Sequence, residues 1–263
     1  MTARIAPHRG EATTRAFVVA ALLAQATPAN IVLNPDDATA TVEIDGVTRT
    51  VGSSSSADYA AIDVRTTADG TSFTVHGHVV TLRLVGERHV LPALTALAVA
   101  VESGIPLEDA IARVEAVDPI EPGNFEIERI GDVLFIDDSA DTTFRSTVEA
   151  LKTVAEIAGE SRRSIAVLGE LAAASVDPLE IRDEHDRLGR IVVRLNIGQL
   201  VVVGDGGRHL STAASLEGSW DGESLLVATP ADAYDVLRAD IRDSDVVLVK
   251  VPGLVSRLVQ VTS

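Results

Sequence analysis

The chain has 263 residues, 46% of them apolar, no cysteine and a net charge of −17. Without cysteine neither a disulfide nor a thiolate metal site can form, and a strongly acidic balance works against nucleic acid, whose phosphates are met by Lys and Arg. No apolar run approaches the ~18 residues of a membrane span, and no apolar stretch directly follows the basic residues of MTARIAPHRGEATTR, so neither membrane insertion nor a signal peptide is expected. A cytoplasmic location follows from those two readings.

Residues 11–26, EATTRAFVVAALLAQA, predict a helix that Thr13 or Thr14 can cap. NIVLNPDDA predicts a short buried strand stopped by Pro35 and two acids. Residues 40–84 alternate in the period of strands, with turns at Asp45-Gly46 and Asp69-Gly70, and predict an antiparallel sheet. The serines at 53–56 read as a loop. HVLPALTALAVAVESG (89–104) and PLEDAIARVEAV (106–117) predict two helices, the second with proline in its first turn, where a missing N–H costs nothing. DPIEPGN then carries two prolines and a glycine, which places a domain boundary there: residues 1–122 and 123–263.

The second half alternates strand and helix. VLFID, SIAVLG, QLVVVGD, SLLVA and DVVLVKV read as strands, with helices near 143–158, 178–195, 207–215 and 230–239. Apolar strands without alternation, separated by amphipathic helices, specify a mostly parallel sheet covered on both faces.

Several groupings are candidates for chemistry. Asp137 and Asp138 close an apolar strand, where acids commonly face a nucleotide or a magnesium ion; the bland alternative is a polar strand end satisfied by a helix N-terminus. Gly204, Gly206 and Gly207, in GDGG between a strand and a helix, offer an anion site at a helix start, or simply a packing turn. His76-Gly77-His78 puts two imidazoles near one another without an evident third ligand, and a hairpin turn accounts for it, so no metal site is expected. Residues 182–187, RDEHDR, read as a solvated helix face with pairs four residues apart. No serine or cysteine triad is supported, and no residue is assigned as catalytic.

PGNFEIERIGDVLFIDDS, RRSIAVLGEL, HDRLGRIVVRLNIGQLVVVGD and DSDVVLVKVPG, in this order, resemble the C-terminal domain of the Mur ligases. VLNPDDA, GTSFTVHG and LVGERHVLPALTALAVAVESGIPLEDA resemble that family's central domain, so the resemblance covers most of residues 30–252. It implies a cut-down central domain, with a mixed sheet and helices, and a Rossmann-like C-terminal α/β domain. The family's N-terminal domain and the opening of its central domain have no counterpart in these residues. The implied family reaction activates a carboxylate as an acyl phosphate with ATP and magnesium and then forms an amide, a step of peptidoglycan precursor synthesis.

The resemblance also shows departures. There is no G-x-x-G-K-[ST] and no lysine before Lys152, so neither the phosphate-loop lysine nor the carbamylated lysine of the central domain is matched. The family's histidine is replaced by Arg88, its first asparagine by His89, its second by Pro92, and the arginine after P-G by Asn124. Its Y-N-A-N-P, which helps hold the adenine side, falls on Ala140, Asp141, Thr142, Thr143 and Phe144. Asp137, Asp138 and Lys250 remain as a vestigial nucleotide set, and His185 and Arg187 match a family H-R pair on the substrate side.

The expectation is a catalytically inactive relative, needing no cofactor and acting as a binding or regulatory module. Its partner, another protein or a second copy, would dock through apolar surface at 11–33 or 89–104 left uncovered in the cut-down domain. Two alternatives stand beside it: an ATP- and magnesium-dependent ligase completed by another chain, and a small-ligand binder using the C-terminal domain alone.

Overall fold

The computed structural model describes residues 29–34, 39–117, 123–172, 175, 177–217, 220 and 222–262; the helix expected at 11–26 lies outside them. The chain divides into two compact units, Met1–Pro119 and Ile120–Ser263.

The first unit holds two small sheets. Strands β1 (Ala29–Asn34), β2 (Thr39–Ile44) and β3 (Val47–Gly52) run antiparallel, and the two-residue β4 (Tyr59–Ala60) pairs parallel to β3. β5 (Ile62–Thr67), β6 (Gly70–Val75) and β7 (His78–Leu82) form a separate antiparallel meander. The single antiparallel sheet expected over 40–84 is therefore two, because the chain turns out of the first after the short β4 and β5 is bulged between Ile62 and Arg65. The hairpin turns Asp45-Gly46, at φ 50° and 80°, and His76-Gly77, at φ 48° and 81°, use left-handed backbone, the geometry that matches strand twist.

After a 3-10 turn at Glu87–His89, helix α1 (Val90–Glu102) leads to α2 (Leu107–Glu115), with Pro106 as its N-cap rather than its first residue. Every residue from Ala93 to Ala100 is buried, in one core with Val42, Phe73, Val80 and Leu82 of the sheets and Ile111 of α2. A helix apolar all round is a core helix, so the docking face expected at 89–104 is already covered within the unit.

The second unit is a six-stranded sheet in the order β12-β11-β10-β13-β9-β8. β9 (Val133–Asp137), β10 (Ser164–Leu168), β11 (Gln199–Val203), β12 (Glu223–Val227) and β13 (Val246–Lys250) are parallel, and β8 (Glu126–Ile130) adds an antiparallel edge that sequence reading missed. Helices α3 (Phe144–Ala158), α4 (Pro178–Arg194), α5 (Arg208–Ser215), α6 (Pro230–Asp240) and α7 (Leu254–Thr262) complete it, the last also unforeseen. Their starts follow the local sequence. Thr143 caps α3, Asp177 followed by Pro178 opens α4, and Thr229 with Asp232 forms a capping box on α6.

The strand residues divide by alternation. Val133, Phe135, Ile165, Val167, Val201, Val247 and Val249 pack with Ala233 and Leu237 of α6 and Leu254 and Leu258 of α7. Leu134, Ile136, Ala166, Leu168, Leu200 and Leu248 are buried on the opposite face, toward α3, α4 and α5. There α4 and α5 approach closely at Gly189, where an added Cβ would lie 2.6 Å from the Leu210 carbonyl. This is the Rossmann-like α/β architecture that the sequence implies. Among the described residues no helix is long and apolar enough to cross a membrane.

Candidate functional site

In open α/β sheets ligands gather at the carboxyl ends of strands where successive connections leave to opposite faces. β13 lies between β9 and β10 and leads to α7, while its two neighbours lead to helices of the other layer, so its end is such a point. Lys250 is its last residue. The site is built around this side chain.

Lys250 is 2% exposed and Asp138 3% exposed. The Lys250 ammonium donates to Asp138 Oδ2 and, at 3.3 Å, to Ser146 Oγ in the first turn of α3. The other oxygen, Asp138 Oδ1, accepts the Phe125 backbone N–H at 3.1 Å. A buried charge pair is sustained only when its remaining donors and acceptors are also met, and here each carboxylate oxygen has a partner. The neighbouring Asp137 is turned the other way: its Oδ1 accepts the Ser139 backbone N–H at 3.0 Å and shapes the turn that follows.

The structure therefore joins Asp138 to Lys250, as the strand order requires, and separates Asp137 from both. Ser146 and the Phe125 N–H, which complete the cluster, escaped the sequence reading. A lysine closing the apolar run VVLVK was the available signal, since an ammonium buried there demands an acid.

The other candidates have structural work. His185 on α4 is buried; its Nε2 accepts the Leu171 N–H at 3.3 Å and its Nδ1 lies 2.7 Å from the Ile181 carbonyl. The imidazole thus pins the loop after β10 to α4. Arg187 is exposed and its guanidinium sits 4.9 Å from the centre of the Phe144 ring. Two residues apart on a helix, these side chains leave it in different directions, so His185 and Arg187 form no pair. An added Cβ on Gly207 would meet Val202 at 2.4 Å, which gives that glycine a packing reason, whereas one on Gly206 would meet only the movable Glu170 carboxylate. Gly204 has φ 84°, and Asp205 pairs with Arg208 at 2.6 Å. Beside these glycines stand the acids Glu170 and Asp205, and the adjoining Arg208 is turned onto Asp205. On α4, Arg182 and Asp186 pair at 3.9 Å four residues apart, as a solvated helix face does.

In the first unit His76 occupies the hairpin turn itself, with its ring edge-on to Tyr59 at 4.9 Å, while His78 starts β7. Among the described residues no three metal-ligating side chains come together. Arg88 Nε donates to His89 Nε2 at 3.2 Å. At the other end of α1, Tyr59 and Arg49 both donate to Glu102 Oε1, at 3.0 and 2.9 Å. Burial and the Glu102 carboxylate raise the Tyr59 phenol above its ordinary value.

Comparison with known proteins places this architecture. No family model matches the chain. Solved Mur ligases share its fold: MurF from Acinetobacter baumannii, over 79% of this chain and 46% of that one, with a TM-score of 0.62 at 20% identity, and UDP-N-acetylmuramate-alanine ligase from Thermotoga maritima, over the same shares, with a TM-score of 0.60 at 16% identity. The chain is a homologue of the Mur ligases. The curated relatives it matches are UDP-N-acetylmuramoyl-tripeptide–D-alanyl-D-alanine ligases, 38% identical over 200 residues in Mycobacterium tuberculosis strain H37Rv and 38% identical over 184 residues in Mycobacterium leprae. The first match takes in 68% of this chain and 38% of the relative, so the chain spans well under half the length of those enzymes.

Proposed function

We propose that this chain is a non-catalytic Mur-ligase relative, connected with peptidoglycan precursor synthesis as a binding or regulatory module. The observation that carries this reading is the closed Lys250–Asp138 cluster. Phosphoryl transfer is catalysed mainly by positioning and by stabilising phosphate charge. The lysine that ends β13 is spent on Asp138 and Ser146, both oxygens of Asp138 are already occupied, and Lys250 and Asp138 are both buried. The departures within the matched region point the same way: Arg88 for the family's histidine, Asn124 for its arginine, and Ala140-Asp141-Thr142-Thr143-Phe144 for its adenine-side segment. Loss of one such electrostatic stabiliser typically costs ~3–4 kcal/mol of barrier, and these positions act together, so turnover falls below detection without the losses being additive. ATP and magnesium are not required by this function.

The test is a titration of the purified chain with ATP and magnesium, followed by heat of binding and by phosphate release. No magnesium-dependent release is expected. Release that disappears in Arg88→Ala would overturn the reading in favour of a divergent ligase. Release that appears only when a second polypeptide is added would favour a ligase completed in trans.

A further inference from the structure

The two edges of the C-terminal sheet are built differently. At one edge β8 carries Glu126, Glu128 and Arg129, all exposed, the kind of charge that keeps an edge strand from pairing. At the other edge β12 reads ESLLV, with no charge after Glu223 and no proline. Its register with β11 is unbroken from Glu223 to Val227, so no bulge turns it away. Among the described residues no further strand pairs with it.

The hydrogen bonds to β11 fix which backbone groups look outward. The Glu223 N–H donates to the Gly198 carbonyl at 3.3 Å, and the Val227 carbonyl accepts the Gly204 N–H at 2.9 Å. Residues 223, 225 and 227 therefore face β11, and Ser224 and Leu226 turn their N–H and C=O to the open edge. The side chains divide in the same rhythm. Ser224 meets Ser211 of α5 at 2.8 Å, so Leu226 shares the α5 face, where it is 37% exposed. Leu225 faces the other way and lines a groove with Val236 and Ala239 of α6.

We propose that β12 pairs antiparallel with β12 of a second copy of this chain, across a twofold axis at Leu225, and so joins the two sheets into one. The outward residues lie symmetrically about Leu225. The axis therefore sets Ser224 opposite Leu226 of the second copy, and Leu226 opposite its Ser224, each pair exchanging N–H and C=O bonds. All edge donors and acceptors of the strand are then met. Leu225 meets its own counterpart beside the Val236 and Ala239 wall. Glu223 falls opposite Val227, whereas a parallel pairing would bring it beside the other Glu223. A twofold contact of this kind closes on itself and stops at a dimer. One short strand and its flanks make a small interface, so the expected Kd is about 10–100 µM. This inference stands apart from the reading of the carboxyl end as non-catalytic.

The experiment is sedimentation velocity on the full chain over a concentration series, with the same series for variants. A monomer–dimer equilibrium in that range is expected. Both copies carry a net charge of −17, so added salt should tighten it by screening. Leu226→Pro removes an outward N–H that the fold does not use, a place where an edge strand tolerates proline, and should abolish the dimer. Should its melting curve show a folding defect, Leu226→Lys at the same exposed position is read instead. The chain has no cysteine, so Leu225→Cys introduces a lone thiol. Across the axis it would face its counterpart at a Cα separation of about 4.5 Å, within disulfide range. Mild oxidation should then give a covalent dimer at least about tenfold faster than with Glu223→Cys, which faces Val227. Monomer alone at about tenfold above the expected Kd, weakening by salt, an unchanged Kd in the folded Leu226 variants, or equal cross-linking through positions 223 and 225 would each overturn the proposal.

Discussion

The two ends of the C-terminal sheet treat charge in opposite ways. At the carboxyl end Lys250 and Asp138 are sealed from water, and each is used up within the chain. At the amino end Arg163 holds Asp240 and Asp245 in a partly exposed network, and a neighbouring glutamine keeps an unsatisfied oxygen. Ligands of α/β sheets ordinarily gather at the carboxyl end. In this chain that end is closed by its own lysine, and the unmet hydrogen bonding lies at the other. One buried ion pair makes the end of β13 part of the core.

The largest effect should come from breaking the closed end. Lys250→Met leaves Asp138 as a buried, uncompensated charge and should destabilise the unit by about 3–5 kcal/mol, read from the midpoint of urea unfolding. Adding Asp138→Asn removes that charge while keeping an acceptor for the Phe125 N–H, and should restore most of the loss. A cost under about 1 kcal/mol for Lys250→Met, the level of an exposed pair, would mean the end is open to water and the contrast fails.

At the amino end the effect is smaller and depends on pH. Arg163→Lys keeps the charge but loses the forked contact with Asp245, and should cost about 1.5–3 kcal/mol in the same assay. Arg163 also holds the Asp240 carboxyl below its ordinary value of 3.8. A carboxylate with a lowered folded value stabilises fully above its unfolded value, and that stabilisation is lost as pH falls through the folded one. Asp240→Asn should therefore lower the melting temperature near neutrality and flatten its decline below about pH 3.8. An unchanged acid slope would show that Asp240 takes no part in the network.

The smallest effect is expected back at the carboxyl end, on its surface. Arg187→Ala removes an exposed guanidinium from the Phe144 ring and should cost about 0.5–1 kcal/mol, measurable as a slight fall in unfolding midpoint. A loss as large as that from Lys250→Met would show that Arg187 belongs to the buried cluster rather than to its rim.

The sequence by itself determined the parallel strands and most of the helices of the second unit. Runs such as SIAVL and QLVVV are apolar on both faces because both faces are covered, and helix starts at Thr143, Asp177 and Thr229 are local chemistry written in adjacent residues. The turns Asp45-Gly46 and His76-Gly77 were legible for the same reason, since left-handed backbone selects its residues locally. The Mur-ligase resemblance and the departures from it were also readable, residue by residue. What tertiary structure alone decided depends on partners far apart in the chain. The division of the first unit into two sheets, the burial of α1 and the edge strand β8, whose exposed charges resemble a loop, came from packing. The pairing of Lys250 with Asp138 spans 112 residues and exists only because β13 inserts beside β9, and the orphaned oxygen of Gln199 exists only because Asp240, at the far end of α6, turns the amide. Sequence patterns record which face a residue prefers; whether a charge or a hydrogen bond finds its partner is settled by which strands become neighbours.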